Sequence, residues 1–130
     1  MTTDGQAFAQ RFISAMNAHD TDAVAACYAQ DAVIRYPARP AQSVEEYAKG
    51  ERDMLAAVPD YRIAATSVIE SSDGTTVVLE LEMHGTQRED LGGRAFTVTG
   101  AYIFRLADGK VVEERAYPDI AGLRKQLSGR

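Results

Sequence analysis

The main change of period in the apolar pattern of this chain falls at Pro59-Asp60. Before that point apolar residues recur mostly every three or four positions; after it they mostly alternate. Helices gathered first and long strands gathered afterwards do not make repeated strand–helix–strand units. They make an α+β domain, in which amphipathic helices cover one face of a meander.

The helical part divides at local signals. Phe8, Phe12, Ala15 and Met16 mark a first helix reaching about residue 18. Asn17-Ala18-His19-Asp20 interrupts it, and Asp20 or Thr21 caps a shorter second helix with Val24, Cys27 and Tyr28 as its stripe. A short strand over 32–36 is stopped by Pro37 and Pro40. Ser43-Val44-Glu45-Glu46 reads as a capping box opening a third helix, which carries Val44, Tyr47, Ala48, Leu55 and Val58 and ends at Pro59.

In the second part, 61–70 is a strand ended by Ser72-Asp73-Gly74. Val77, Leu79, Leu81 and Met83 alternate with Val78, Glu80, Glu82 and His84 in the next. A polar loop over 85–93 follows. Phe96, Val98, Gly100, Tyr102 and Phe104 then alternate with Thr97, Thr99, Ala101 and Ile103. Asp108-Gly109 is a hairpin turn signal, 111–117 is the last strand, and Ile120, Leu123 and Leu127 indicate a closing helix.

At 130 residues, without repeats or a linker, the chain is expected to be one domain over 1–130. A net charge of −5 with scattered arginines disfavours a nucleic-acid partner. No apolar run approaches the roughly 20 residues of a spanning helix, so no membrane role is expected. The start, MTTDGQAF, lacks the basic and apolar regions of a secretory signal. The lone Cys27 allows no internal disulfide. Together these predict a cytoplasmic protein. His19 is expected in a solvated turn, and His84 at a strand end pointing outward. With no His-x-His or Glu-x-x-His spacing there is no metal site to propose.

Several strings in this order resemble the nuclear transport factor 2-like superfamily, and within it the SnoaL-like polyketide cyclases. They are FISAMNAHDTDAVAACYAQDAVIRYP at 12–37, Pro59-Asp60, HGT at 84–86, and GRAFTVTGAYIFRLADGKVVEERAYPDIAGLRKQL at 93–127. The resemblance covers nearly the whole chain. It implies a conical α+β fold: three N-terminal helices on a strongly curved mixed or antiparallel sheet, with a short C-terminal helix. It implies an apolar pocket at the wide end, no cofactor, and often a dimer; the outward apolar residues Val78, Ala101 and Ile103 would pair two copies as a homodimer through the sheet. This fold hosts enzymes and non-enzymes alike.

Residue by residue, the resemblance removes two activities. Ketosteroid isomerases carry a pocket tyrosine where this chain has Phe12, a basic aspartate where Tyr36 precedes Pro37, and a second aspartate where Tyr102 stands. Limonene epoxide hydrolases need an arginine and an aspartate two apart on a strand, where Gly100 and Tyr102 fall. SnoaL-like cyclases use an aspartate near the end of the last strand, and Asp119 matches that region.

The same likeness turns Leu79, Leu81, Met83, Phe96, Val98, Gly100, Tyr102 and Phe104 toward the pocket, with Ile34, Tyr36 and Phe12 opposite. On the last strand it turns Val112, Glu114 and Ala116 inward, leaving Arg115 outside. Tyr102, Tyr36, Phe12, Met83, Phe96 and Val98 are therefore the expected ligand-binding residues, for an apolar small molecule. Glu114 and Asp119 are the candidate catalytic groups. A carboxylate on an apolar face has its pKa raised by burial toward the useful range; equally, Glu114 could meet water or an arginine at the mouth and do nothing more. Asp119 could move a proton or only cap the last helix. Tyr102 and Tyr36 could donate to a ligand oxygen or be satisfied core tyrosines. Two roles stay open: a cyclase or isomerase working by carboxylate acid/base chemistry, and a non-catalytic ligand-binding or dimeric module.

Overall fold

A computed structural model describes residues 3–129. The elements are α1 (Asp4–Asn17), α2 (Thr21–Ala25), β1 (Tyr28–Arg35), α3 (Val44–Ala57), β2 (Arg62–Glu70), β3 (Thr76–Thr86), a 3-10 turn (Glu89–Leu91), β4 (Ala95–Ala107), β5 (Lys110–Pro118) and α4 (Ile120–Ser128). The strands form one mixed sheet in the order β1-β5-β4-β3-β2. β1 joins β5 in parallel and every other pair is antiparallel. The α+β class, the three leading helices and the short closing helix are as expected.

Local chemistry starts each helix. Thr3 and Ser43 form reciprocal capping boxes with Gln6 and Glu46. Asp20 accepts the Ala23 amide at the head of α2. The Asp108-Gly109 turn between β4 and β5 places both residues at positive φ, 52° and 76°, as a tight hairpin turn requires. α1 then lays Phe8 and Phe12 against Phe104 of β4, with ring centroids 4.8 and 5.3 Å apart. All three rings are buried. Each contributes about 1.5–3 kcal/mol through burial, which fixes α1 across the concave face of the sheet.

Three expectations need correction. The first strand begins at Tyr28 rather than 32, so Tyr28 belongs to β1 and not to the stripe of α2. Parallel pairing of Tyr28 with Val111 decides this, since five helical residues cannot outweigh a sheet partner. The 85–93 segment is not all loop. β3 continues through Thr86, opposite Ala95, and only the 3-10 turn and its flanks are irregular. At the start of β5 the buried apolar residue is Val111, not Val112, which is half-buried. Arg105 pairs with Glu113 and Leu106 with Val111, so Val112 is an extra residue in a bulge. The bulge reverses the alternation upstream of it while leaving Glu114 and Ala116 inward.

At the other end β5 leaves β4 after the Gly100–Pro118 pair. The freed edge of β4 is then covered by α4. Asp119 donates its amide to the Thr99 carbonyl. The Gln126 side chain accepts from the Thr97 amide and donates to the Thr97 carbonyl, both at 2.8 Å. One glutamine thus replaces a strand partner and holds α4 across the open end of the sheet. Among the described residues no helix is long and apolar enough to cross a membrane.

Candidate functional site

Between the helices and the concave sheet face lies a cavity of about 230 Å³. α1 supplies Phe12 and Met16, α3 supplies Tyr47, Glu51 and Met54, and α4 closes one side with Ile120 and Leu123. The sheet contributes Leu81, Met83, Phe96, Val98, Tyr102 and Glu114, and Tyr36 stands just beyond the end of β1. Every residue predicted to touch a ligand lines this cavity: Tyr102, Tyr36, Phe12, Met83, Phe96 and Val98.

The two candidate carboxylates are separated. Glu114 lines the cavity and is 1 % exposed, the one charged side chain among the buried residues described. Asp119 is exposed and lines instead a groove on the outer side of the sheet, with Thr99 and Tyr117. Its carboxylate accepts the Gly122 amide at 2.9 Å, as the N-cap of α4. The cap is therefore what the structure shows for Asp119.

Glu114 is held by one donor, the Tyr28 hydroxyl. Burial pushes the Glu114 carboxyl from its ordinary 4.5 up to about 7; the Tyr28 hydrogen bond works against that rise, and the negative charge of Glu51 adds to it. Burial likewise pushes Glu51 up to about 7, opposed by the Tyr47 hydroxyl. The Tyr47 hydroxyl also eases ionisation of Tyr28, and the two rings lie 5.3 Å apart. Tyr28 and Tyr47 thus stand between the two carboxyls. Both phenols are raised well above the ordinary value, first by burial, so they stay protonated.

Glu51 was not expected, although its signal is in the sequence. Tyr47, Glu51 and Met54 recur at helical spacing on α3, so a carboxylate sits on an otherwise apolar stripe. Glu51 is half-buried and also lines an outer groove with Arg39 and Gln42, so it stands in the wall between cavity and solvent. Tyr28 was missed because it was read as part of a helix.

Tyr102 has its hydroxyl 3.1 Å from the Met83 sulfur. A thioether is a weak acceptor, so this donor remains free for a stronger one. Tyr36 is raised by burial and then by the negative charge of Glu114, so it too is a proton donor at neutral pH. His84 faces the outer side, bonded to Thr97 and near Glu82. His19 is exposed in the α1–α2 turn, as expected, and its Nε2 lies 2.6 Å from the Tyr61 carbonyl just ahead of β2. Two weakly basic carboxyls, several phenol donors and apolar walls can exchange a proton with a ligand and stabilise a developing oxyanion.

The profile of the SnoaL-like domain matches residues 9–114, and the chain belongs to that family. No curated protein matches it by sequence. Among solved structures it is similar to AclR of Streptomyces galilaeus, proposed to be a hydroxylase, at 20% identity and a TM-score of 0.85, covering 98% of this chain and 97% of that one. It is also similar to a proposed SnoaL-like polyketide cyclase of Jannaschia sp. CCS1, at 18% identity and a TM-score of 0.83, covering 98% and 93%. A third is IdmH of Streptomyces antibioticus, proposed to be a polyketide cyclase, at 20% identity and a TM-score of 0.81, covering 95% and 98%. At such identities the likeness establishes the nuclear transport factor 2-like fold.

Proposed function

We propose that this protein binds a compact apolar carbonyl compound in its cavity and catalyses proton transfer on it without a cofactor. The observation that carries this reading is Glu114: a carboxyl 1 % exposed, in an apolar cavity, with a single hydroxyl donor and a pKa of about 7. Such a group takes and returns a proton with little driving force lost in either direction. The ionised Glu114 removes a proton from the carbon next to the carbonyl. The electron pair moves to the carbonyl oxygen, which Tyr102 or Tyr36 meets as a donor. The enolate carbon then attacks a second carbonyl of the same ligand, closing a ring, and Glu114 returns its proton to the new alkoxide. In isomerisation the proton returns to another carbon instead. The cavity of about 230 Å³ lies just below the roughly 300–1,000 Å³ usual for small-molecule sites, which favours one- or two-ring ligands over a large polycycle.

The test uses a bicyclic ketone such as 2-indanone in deuterated buffer, following exchange of its α-hydrogens by NMR. The wild type should accelerate exchange, and Glu114→Gln should lose roughly 10²–10⁴-fold of that acceleration. Equal rates in both proteins would sink the mechanism.

A second reading, a dimeric ligand-binding module without turnover, draws on the outer face of the sheet. Ile69, Val78 and Ile103 pair across three strands as one apolar row, and Ile69 and the nearby Tyr117 are 54% and 49% exposed. Two copies packed on this row would form the homodimer, in the cytoplasm. A purely monomeric sedimentation profile at micromolar concentration would count against it.

A further inference from the structure

We propose that the cavity ligand carries a positive charge, an amine or ammonium group on its compact apolar frame. The inference rests on the reading of the cavity as a ligand site, and does not depend on the reaction assigned to Glu114. The lining holds two carboxyls, Glu51 and Glu114, and no lysine, arginine or histidine. Its remaining polar groups are phenols, on Tyr36, Tyr47, Tyr61 and Tyr102. An anionic ligand would meet two acids and no counter-charge. A cation would meet carboxylates together with the electron-rich faces of aromatic rings, the combination that selects ammonium groups elsewhere in proteins.

The outer side of the site shows that one of these rings already accepts a cation. The Arg39 guanidinium stacks on Tyr36, 4.9 Å from the ring centroid, at the groove shared with Glu51. Arg39 belongs to the groove and not to the cavity lining, so the carboxyls that face the cavity meet phenol donors there but no cation. Ligand ammonium would supply that cation. Both carboxyls would then ionise at a pH where the empty cavity keeps them largely protonated, and binding would release protons to the buffer.

The experiment compares two probes of the same shape, benzyltrimethylammonium and its uncharged carbon isostere neopentylbenzene, with phenylacetate as the anion. Binding to the full chain is followed by ligand-observed NMR at pH 6 and pH 8. The cation should bind at least about tenfold more tightly than the isostere at pH 8, with the preference shrinking at pH 6 and phenylacetate not binding. In the double variant E51Q/E114Q the isostere should still bind while the preference for the cation disappears. Equal or tighter binding of neopentylbenzene at pH 8 would overturn the charge assignment and leave the cavity reading standing. Failure of every probe would overturn both.

Discussion

Tyr28 of β1 donates its hydroxyl to the carboxyl of Glu114 on the neighbouring strand β5. Parallel pairing sets Tyr28 opposite Val111 and Ile34 opposite Glu114, so the long phenol spans the register difference along the concave face. Because this bond favours the ionised carboxyl, its loss has a defined sign. In Tyr28→Phe the Glu114 pKa should rise above its present value of about 7. Carbon-13 NMR titration of labelled glutamate reads this directly. A lower or unchanged midpoint would show that the hydroxyl does not control the acid. The variant should also lose about 1–3 kcal/mol of stability, the cost of a buried polar group left unpartnered.

Stability should fall as the pH rises from about 5 to 8. Glu114 is raised in the folded state from 4.5 to about 7, as is Glu51. Between those values the native protein holds protons that the unfolded chain has released, so unfolding is favoured by raising the pH. The shift at Glu114 corresponds to about 3 kcal/mol, complete once the pH passes 7. Asp60 and Asp73 are lowered by hydrogen bonds and act in the opposite sense, but in a more acidic window. Thermal unfolding should show a Tm lower at pH 8 than at pH 5 by on the order of 10 °C. Glu114→Gln should flatten about half of that slope, leaving the part that Glu51 carries. An equally steep fall in the variant would assign it to other groups.

The fold was legible because its signals were redundant. The change of period, the Ser43–Glu46 capping box and the Asp108-Gly109 turn each act locally and point to one architecture. What escaped was decided by partners far along the chain. Tyr28 enters a strand only because Val111 is there to pair with it. Val112 leaves the concave face only because β5 carries one residue more than β4 needs. The aromatic and aliphatic lining was readable from alternation on β3 and β4. Glu51 lies four residues after Tyr47, but helical period alone does not say whether a polar position beside an apolar stripe faces a cavity or solvent; the sheet packed opposite decides that. The sheet supplied the apolar walls and one acid; the helix facing it supplied the other.

Asp119 should matter to stability and not to chemistry. Its carboxylate caps α4 through the Gly122 amide and stands outside the cavity. Asp119→Ala should cost about 1 kcal/mol, while Asp119→Asn, which keeps an acceptor, should cost little. Denaturant unfolding measures both. The α-hydrogen exchange of 2-indanone should be unchanged in the Asn variant; a large loss there would return Asp119 to the reaction.

Gln126 should control access to the cavity. Its amide makes two bonds from α4 to the free edge of β4, and the same helix presents Ile120 and Leu123 to the cavity. No buried residue anchors α4, so its position depends on these bonds, on the Asp119 amide bond to Thr99, and on the two half-exposed side chains. Gln126→Ala removes the two hydrogen bonds to Thr97, each contributing about 0.5–1.5 kcal/mol, together with a third inside α4 to the Gly122 carbonyl. Loss of that amount destabilises the closed position without unfolding the sheet, since β4 remains paired to β3 along its length. The Thr97 amide should exchange with solvent roughly 5–100-fold faster, as local opening becomes easier by that energy. Any bound probe should dissociate faster, with its association rate changed less. If Thr97 exchange stays as slow as in the wild type, the glutamine is a passenger and α4 is held by its apolar contacts alone.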